Sequence, residues 1–230
     1  MPAAPWASPR GLKPVVGRWI ASRTIQPCFS ADRTLDATGA RMVPFPASLD
    51  PGLVRALGAR GIESLYEHQA HAFELATSGR SLVVATPTAS GKSLCFHLPV
   101  LQTLTQDRDA RAIYLYPTKA LARDQEAGIR ELLAGAGLAS GAVVYDGDTP
   151  GDARRAAREK SGIVLTNPDM LHTGILPHHT SWARTLQHLR YVIVDELHTY
   201  RGVFGSNVGN VLRRLLRVAA FHGSRPTLIG

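Results

Sequence analysis

Cysteine is nearly absent: the 230 residues hold Cys28 and Cys95 and no other thiol. Two thiols cannot build a cysteine-rich metal cluster, and they give no disulfide framework for a small stapled fold. Long apolar runs are missing as well. None approaches the ~20 residues that a membrane span needs, and residues 1–11 carry no apolar core of the signal-peptide kind. These absences lead us to expect a cytoplasmic chain without a membrane partner. Repeats and low-complexity tracts are also lacking. Acidic residues are outnumbered, 18 Asp and Glu against 26 Lys and Arg, for a net charge of +8. Such an excess invites a nucleic-acid partner. Yet residues 1–45 hold six Arg/Lys against two Asp, so half of it sits in a Pro-, Ala-, Ser- and Arg-rich segment without sustained periodicity. That segment reads as a poorly ordered basic N-terminal tail, with short extended pieces near Val15 and Thr24. Charge alone decides little.

The remainder has the 44% hydrophobic and 19% charged content of an ordinary globular domain. Its organising stretch is the 81–93 segment, SLVVATPTASGKS. Residues 82–85 read as a buried strand, 86–90 as a loop of small residues, and Gly91-Lys92-Ser93 as the opening of a helix that continues through Leu94, Leu98, Leu101 and Leu104. Strand, small-residue loop, Gly-Lys-Ser and helix is the layout of a phosphate-binding P-loop. Backbone N–H groups at a helix start point at an anion, and the helix dipole favours negative charge there. Thr86, Pro87, Thr88, Ala89, Ser90 and Gly91 would wrap the phosphates, Lys92 would supply a positive charge, and Ser93 an oxygen for Mg2+. The first loop position, ordinarily Gly or Ala, is Thr86.

On either side of this stretch, strands alternate with helices. Asp50 caps a helix that has Pro51 at its first position, and Gly61 stops it; residues 67–76 form a second helix. Beyond the P-loop helix, strands are expected at 110–117, 141–145, 162–166, 189–194 and 227–229, with helices at 118–133, 152–160 and 204–220 between them. The strands are continuous apolar runs, which argues for an α/β fold with a mainly parallel sheet covered by helices on both faces. In such folds ligands gather outside the carboxyl ends of the strands. Every polar cluster worth a functional reading lies there: 86–93, 117–119, 146–149, 166–169 and 195–198.

The second anchor is YVIVDELH at 191–198. A P-loop enzyme needs a carboxylate at a neighbouring strand tip for the Mg2+ that bridges the β- and γ-phosphates, and Asp195 fits. Glu196 beside it can orient and deprotonate the attacking water.

With both anchors in hand, the set resembles motifs I and II of superfamily 2 DEAD/DExH-box helicases. The 116–125 segment (YPTKALARDQ) resembles motif Ia, 166–171 (TNPDML) motif Ib, 145–149 (YDGDT) the loop between them, and 65–69 (LYEHQ) the Q-motif region. More narrowly, 166–179 (TNPDMLHTGILPHH) and 195–206 (DELHTYRGVFGS) resemble the mitomycin-repair-factor and RecQ4-like DNA helicases. The resemblance implies a first RecA-like ATP-binding domain over 46–230, ending before motif III. It implies ATP and Mg2+ as cofactors and single-stranded or forked DNA as partner. Gln69 would read adenine, with Tyr66 a packing neighbour. His198 would couple hydrolysis to strand movement, and Pro117, Thr118, Lys119, Gly147, Thr166 and Asn167 would contact the backbone of one strand. A second RecA-like domain would supply arginine fingers. Two classes of activity stay open: an ATP-dependent helicase acting in DNA repair, with 3′–5′ polarity by family analogy, and a non-catalytic nucleotide- or nucleic-acid-binding module. RNA is a third alternative, since backbone contacts barely separate it from DNA.

Other features are given ordinary roles. His178-His179 lack a spaced carboxylate or cysteine partner for metal, the Arg154, Arg155, Arg158 and Lys160 face reads as solvated, and Trp182 and Tyr200 as packing residues.

Overall fold

The computed structural model describes residues 13–30, 41–86 and 90–230. It divides into two units, residues 1–40 and 41–230. In the first, α1 (Lys13–Ala21) is followed by a 3-10 turn at Gln26–Cys28. The extended pieces expected at Val15 and Thr24 are therefore corrected to a helix and a turn. Val15, Val16, Trp19 and Ile20 recur at helical spacing, a period too short to stand out from the surrounding composition.

The second unit begins at Arg41, a few residues before the expected boundary at 46. β1 (Met42–Val43) pairs antiparallel with β2 (Leu65–Tyr66), which ties the entry of the chain to the turn before α3. Between them lies α2 (Pro51–Gly58), whose first turn is closed by Gly52 N donating to Asp50 Oδ1 at 2.7 Å. Its stop is the left-handed Gly61 at φ 75°. The helices α3 (Glu67–Thr77) and α4 (Lys92–Gln106) flank the P-loop. Then follow β3 (Arg111–Leu115), α5 (Lys119–Gly135), β4 (Gly141–Val144), α6 (Gly151–Glu159) and β5 (Ser161–Thr166). The short α7 (Pro168–Met170) runs into a widened π turn at Leu171–Ile175. Finally come α8 (Ala183–Gln187), β6 (Leu189–Val194), α9 (Gly202–Phe221) and β7 (Thr227–Ile229).

The sheet has the order β4-β5-β3-β6-β7, and every pairing in it is parallel. Alternate residues feed two cores. Tyr114, Leu165 and Ile193 pack with Leu57, Phe73, Leu101 and Ile129 from α2, α3, α4 and α5. Ile113, Val164 and Val192 pack on the other face with Trp182 and Leu215 from the α8 and α9 side. Trp182 thus takes the packing role expected of it. Truncating a fully buried leucine such as Leu101 or Leu215 to Ala costs about 2–5 kcal/mol. Among the described residues no helix is long and apolar enough to cross a membrane.

The buried strand expected at 82–85 is corrected to a half-exposed edge. Leu82 forms a single parallel bridge to Ile229, and Val84 N donates to Gly230 O at 2.7 Å. Burial alternates along it, and Val83 is 68% exposed. An apolar run signals a buried strand only when both faces and both edges are covered.

Candidate nucleotide cleft and nucleic-acid loops

The chain reverses into α4 at Gly91, whose φ of 70° and ψ of 30° suit glycine. Any Cβ there would lie 2.6 Å from Gln69 Nε2. The reason is a clamp from α3. Gln69 Nε2 donates to Gly91 O at 2.8 Å, while Gln69 Oε1 accepts from Tyr66 N at 2.9 Å. One residue earlier, His68 Nε2 lies 3.1 Å from Ser90 O, and its ring stacks on Tyr66. Gln69 is 3% exposed. Its amide holds the loop with one N–H and one lone pair and has one more N–H and one more lone pair. Thr86 closes the loop from the other side: its hydroxyl meets Ser90 Oγ at 2.6 Å, and its carbonyl accepts from Lys92 Nζ at 2.8 Å. Ser93 is half-buried in the first turn of α4. Pro87, Thr88 and Ala89 lie outside the described residues.

At the tip of β6, Asp195 N still donates to Leu115 O at 3.0 Å, so its place is fixed by the sheet. Asp195 Oδ1 accepts from Glu196 N at 2.9 Å. Burial raises the Asp195 carboxyl above its ordinary range, and the Lys92 charge pulls part of the way back. Glu196 is left-handed at φ 50°, alone among the non-glycine residues described. This conformation costs of order 1–2 kcal/mol for an L-residue. It turns the chain into the 3-10 turn at Leu197–Thr199, where Thr199 N donates to Glu196 O at 2.8 Å. His198 Nδ1 lies 3.2 Å from Glu196 Oε2.

Lys92, Asp195, Glu196 and His198, from distant parts of the chain, line one cleft of about 540 Å3 together with Thr86 and Gly230. It offers hard oxygens, the Asp195 and Glu196 carboxylates, next to Lys92 at the start of α4, where Ser93 follows in the first turn. Mg2+ is ordinarily held by one or two carboxylates plus phosphate oxygens rather than by a protein cage. No group of three or more His, Cys, Asp or Glu able to hold a metal occurs among the described residues. These residues fit a metal shared with phosphates.

The other strand tips differ. Pro117 is half-buried, and Thr118 spends its hydroxyl on the α5 cap, accepting from Leu121 N at 3.3 Å. Lys119 pairs with Asp148 at 2.6 Å. Asn167 Oδ1 caps α7, accepting from Met170 N at 2.7 Å. Thr166 is buried, its hydroxyl donating to Tyr145 O at 2.7 Å. As the last residue of β5, it turns its side chain inward. Gly147 is exposed, and its carbonyl accepts from Arg154 Nη2 at 3.1 Å.

Sequence reasoning missed three residues here. His68 was legible in LYEHQ only as a neighbour of Gln69. Arg154, read as solvated, holds the 146–149 loop through the carbonyls of Asp146, Gly147 and Thr149 and lies over the Tyr145 ring. His97 is buried on α4, accepting from the Tyr114 hydroxyl at Nδ1 and donating from Nε2 to Gln125 Oε1 at 3.2 Å. Burial lowers its pKa to about 4, so the ring is neutral at pH 7.

Comparison with known proteins accords with this geometry. The family model described as DEAD/DEAH box helicase matches residues 66–228. The Bacillus subtilis protein described as an uncharacterized ATP-dependent helicase, YprA, is 52% identical over 190 residues, covering 83% of this chain and 25% of that protein. The ATP-dependent helicase HRQ1 of Saccharomyces cerevisiae is 44% identical over 158 residues, 68% of this chain and 15% of its own length. Among solved structures, the DUF1998 helicase MrfA bound to DNA and AMPPNP superposes with a TM-score of 0.83 at 50% identity, over 85% of this chain and 27% of that one. The chain thus spans about a quarter or less of the length of these relatives. Its fold is that of a first RecA-like domain, and the chain belongs to the DEAD/DEAH box helicase family.

Proposed function

We propose that this chain is the ATP-binding motor domain of an ATP-dependent DNA helicase acting in repair. The observation that carries the reading is the single cleft shared by Lys92, Asp195, Glu196 and His198. ATP lies with its phosphates against 86–93. Lys92 neutralises charge on them, and Ser93 and Asp195 would hold Mg2+, which would offset the charge that develops on the transferred phosphoryl group. Glu196 orients a water and takes its proton. His198, 3.2 Å from the Glu196 carboxylate, relays the state of the cleft toward the strand-binding side. Thr118, Lys119, Gly147 and Asn167 meet the strand chiefly through backbone N–H groups and the Lys119 charge, and Pro117, which has no N–H, sets the backbone of its loop beside the strand. Contacts of that kind position a strand without reading its sequence. Turnover is completed by arginines from a second RecA-like domain, so this 230-residue chain alone binds nucleotide and hydrolyses it slowly. DNA is preferred to RNA because MrfA, half identical in sequence, was solved with DNA. The protein works in the cytoplasm.

Titration with a fluorescent ATP analogue and Mg2+ tests this. The unaltered chain should bind, Lys92→Ala should lose most of the affinity, and oligo-dT should bind more tightly than oligo-rU. A chain that binds nucleotide equally well without Lys92 contradicts the assignment.

A further inference from the structure

The α9 helix presents more than a packing face. Phe204, Asn207, Val211 and Arg214 follow one another at spacings of three and four, which puts them on one stripe, with Asn210 and Arg217 beside it. Opposite stand Pro168, Asp169 and His172, and between the two walls lies a groove of about 550 Å3. That volume is in the range of sites that take a small molecule or one unit of a polymer.

Three observations bear on what enters it. Phe204 is 46% exposed although it borders a concave surface, with the Tyr200 ring 5.7 Å away. The wall carrying His172 is the π turn at Leu171–Ile175, a geometry rare in proteins and frequent at functional sites. The groove also starts at Pro168, next in sequence to Asn167, where the proposed strand-binding loops end. Arg214 Nη1 donates to His172 Nδ1 at 3.3 Å. Since arginine can only donate, the remaining guanidinium N–H groups of half-buried Arg214 call for acceptors, and Arg217 is exposed. One acid, Asp169, lines the groove. It stands on the wall opposite α9, three residues before His172. The arginines lie further along α9.

We propose that this groove is a further binding site for single-stranded nucleic acid, with a base against Phe204 and backbone phosphate on Arg214 and Arg217. Aromatic platform plus cationic track is the general chemistry of single-strand binding. Asn207 and Asn210 supply amide donors and acceptors along the way. The site extends the strand path of the nucleic-acid reading above and rests on it.

Fluorescence anisotropy with labelled oligo-dT, and a parallel oligo-rU series, tests the inference on the 230-residue chain. Both Phe204 and Arg217 are exposed, so their alanine variants should fold, with unchanged thermal melts. Phe204→Ala should weaken binding by about fivefold or more, the value of one stacked base. Arg217→Ala should weaken it and lower the slope of log K against log salt by about 0.7, one single-strand phosphate contact. A 5-bromouridine oligonucleotide should photo-crosslink to the 204–217 peptide. If Lys119→Ala weakens binding while Phe204→Ala and Arg217→Ala both bind as the unaltered chain does, the groove is idle and the proposal fails, with the strand-binding loops intact. If the unaltered chain binds neither oligonucleotide, the nucleic-acid reading falls and takes this one with it.

Discussion

The two halves of the sheet's carboxyl edge use their side chains in opposite ways. On the β6 and β7 side, charged groups are gathered into one cleft: Lys92, Asp195, Glu196 and His198. There a carboxyl is held above its ordinary pKa by burial and a glutamate is held left-handed. On the β3, β4 and β5 side, Thr118 and Asn167 cap helices, Thr166 turns inward, and Arg154 clips a loop. Cost is tolerated where chemistry needs pooled charge; where a strand has only to be positioned, polar side chains brace the loop backbone.

The largest effect should come from the link between the halves. His97 on α4 bonds to Gln125 on α5, so the nucleotide helix and the helix behind Lys119 share one buried contact. The folded ring, with a pKa of about 4, stays neutral where the unfolded ring protonates. Protons then favour the unfolded state, so stability falls as pH drops from about 6.5 to about 4, by of order 3 kcal/mol. Urea unfolding at pH 7 and pH 4.5 should show this loss, and His97→Gln should reduce it; equal pH sensitivity in both would detach His97 from the effect. Next in size, Lys92→Ala should cost the cleft roughly 1.5–3 kcal/mol of nucleotide affinity while leaving oligonucleotide affinity alone. Loss of both would erase the division between the halves. Removing the burdened charge should help the fold: Asp195→Asn raises Tm at pH 7. Its sign follows from the raised carboxyl pKa, which makes the ionised form a cost at neutral pH. That gain should fade as pH falls through the carboxylate range, and calorimetry at pH 7 and pH 4 checks it. Smallest, Thr118→Ala removes a long, exposed cap worth about 0.5 kcal/mol, lowering Tm by on the order of 1 °C without touching nucleotide binding.

Most of the fold could be read in advance because strand and helix periods differ and five apolar runs alternate with amphipathic segments. The P-loop and the 195–198 cluster were legible because their chemistry demands particular residues in order. What could not be read depended on neighbours. Whether 82–85 is buried depends on what lies beside it; that Gln69 clamps the loop depends on Gly91 O being 2.8 Å from its amide. Arg154 and Arg155 look alike on a basic helix, yet one clips a loop and the other pairs with Glu159 at 3.1 Å. The helix at Lys13–Ala21 was hidden by a composition that otherwise reads as a tail.

The central claim is that Lys92 and Asp195 act on one and the same nucleotide. A double-mutant cycle of Lys92→Ala and Asp195→Asn, read by ATP-analogue affinity in the presence of Mg2+, tests it most directly. The account predicts that the double variant loses clearly less than the sum of the two single losses, because either change alone disrupts the shared ligand. Losses that simply add, or an Asp195→Asn variant with undiminished Mg2+-dependent binding, would contradict it.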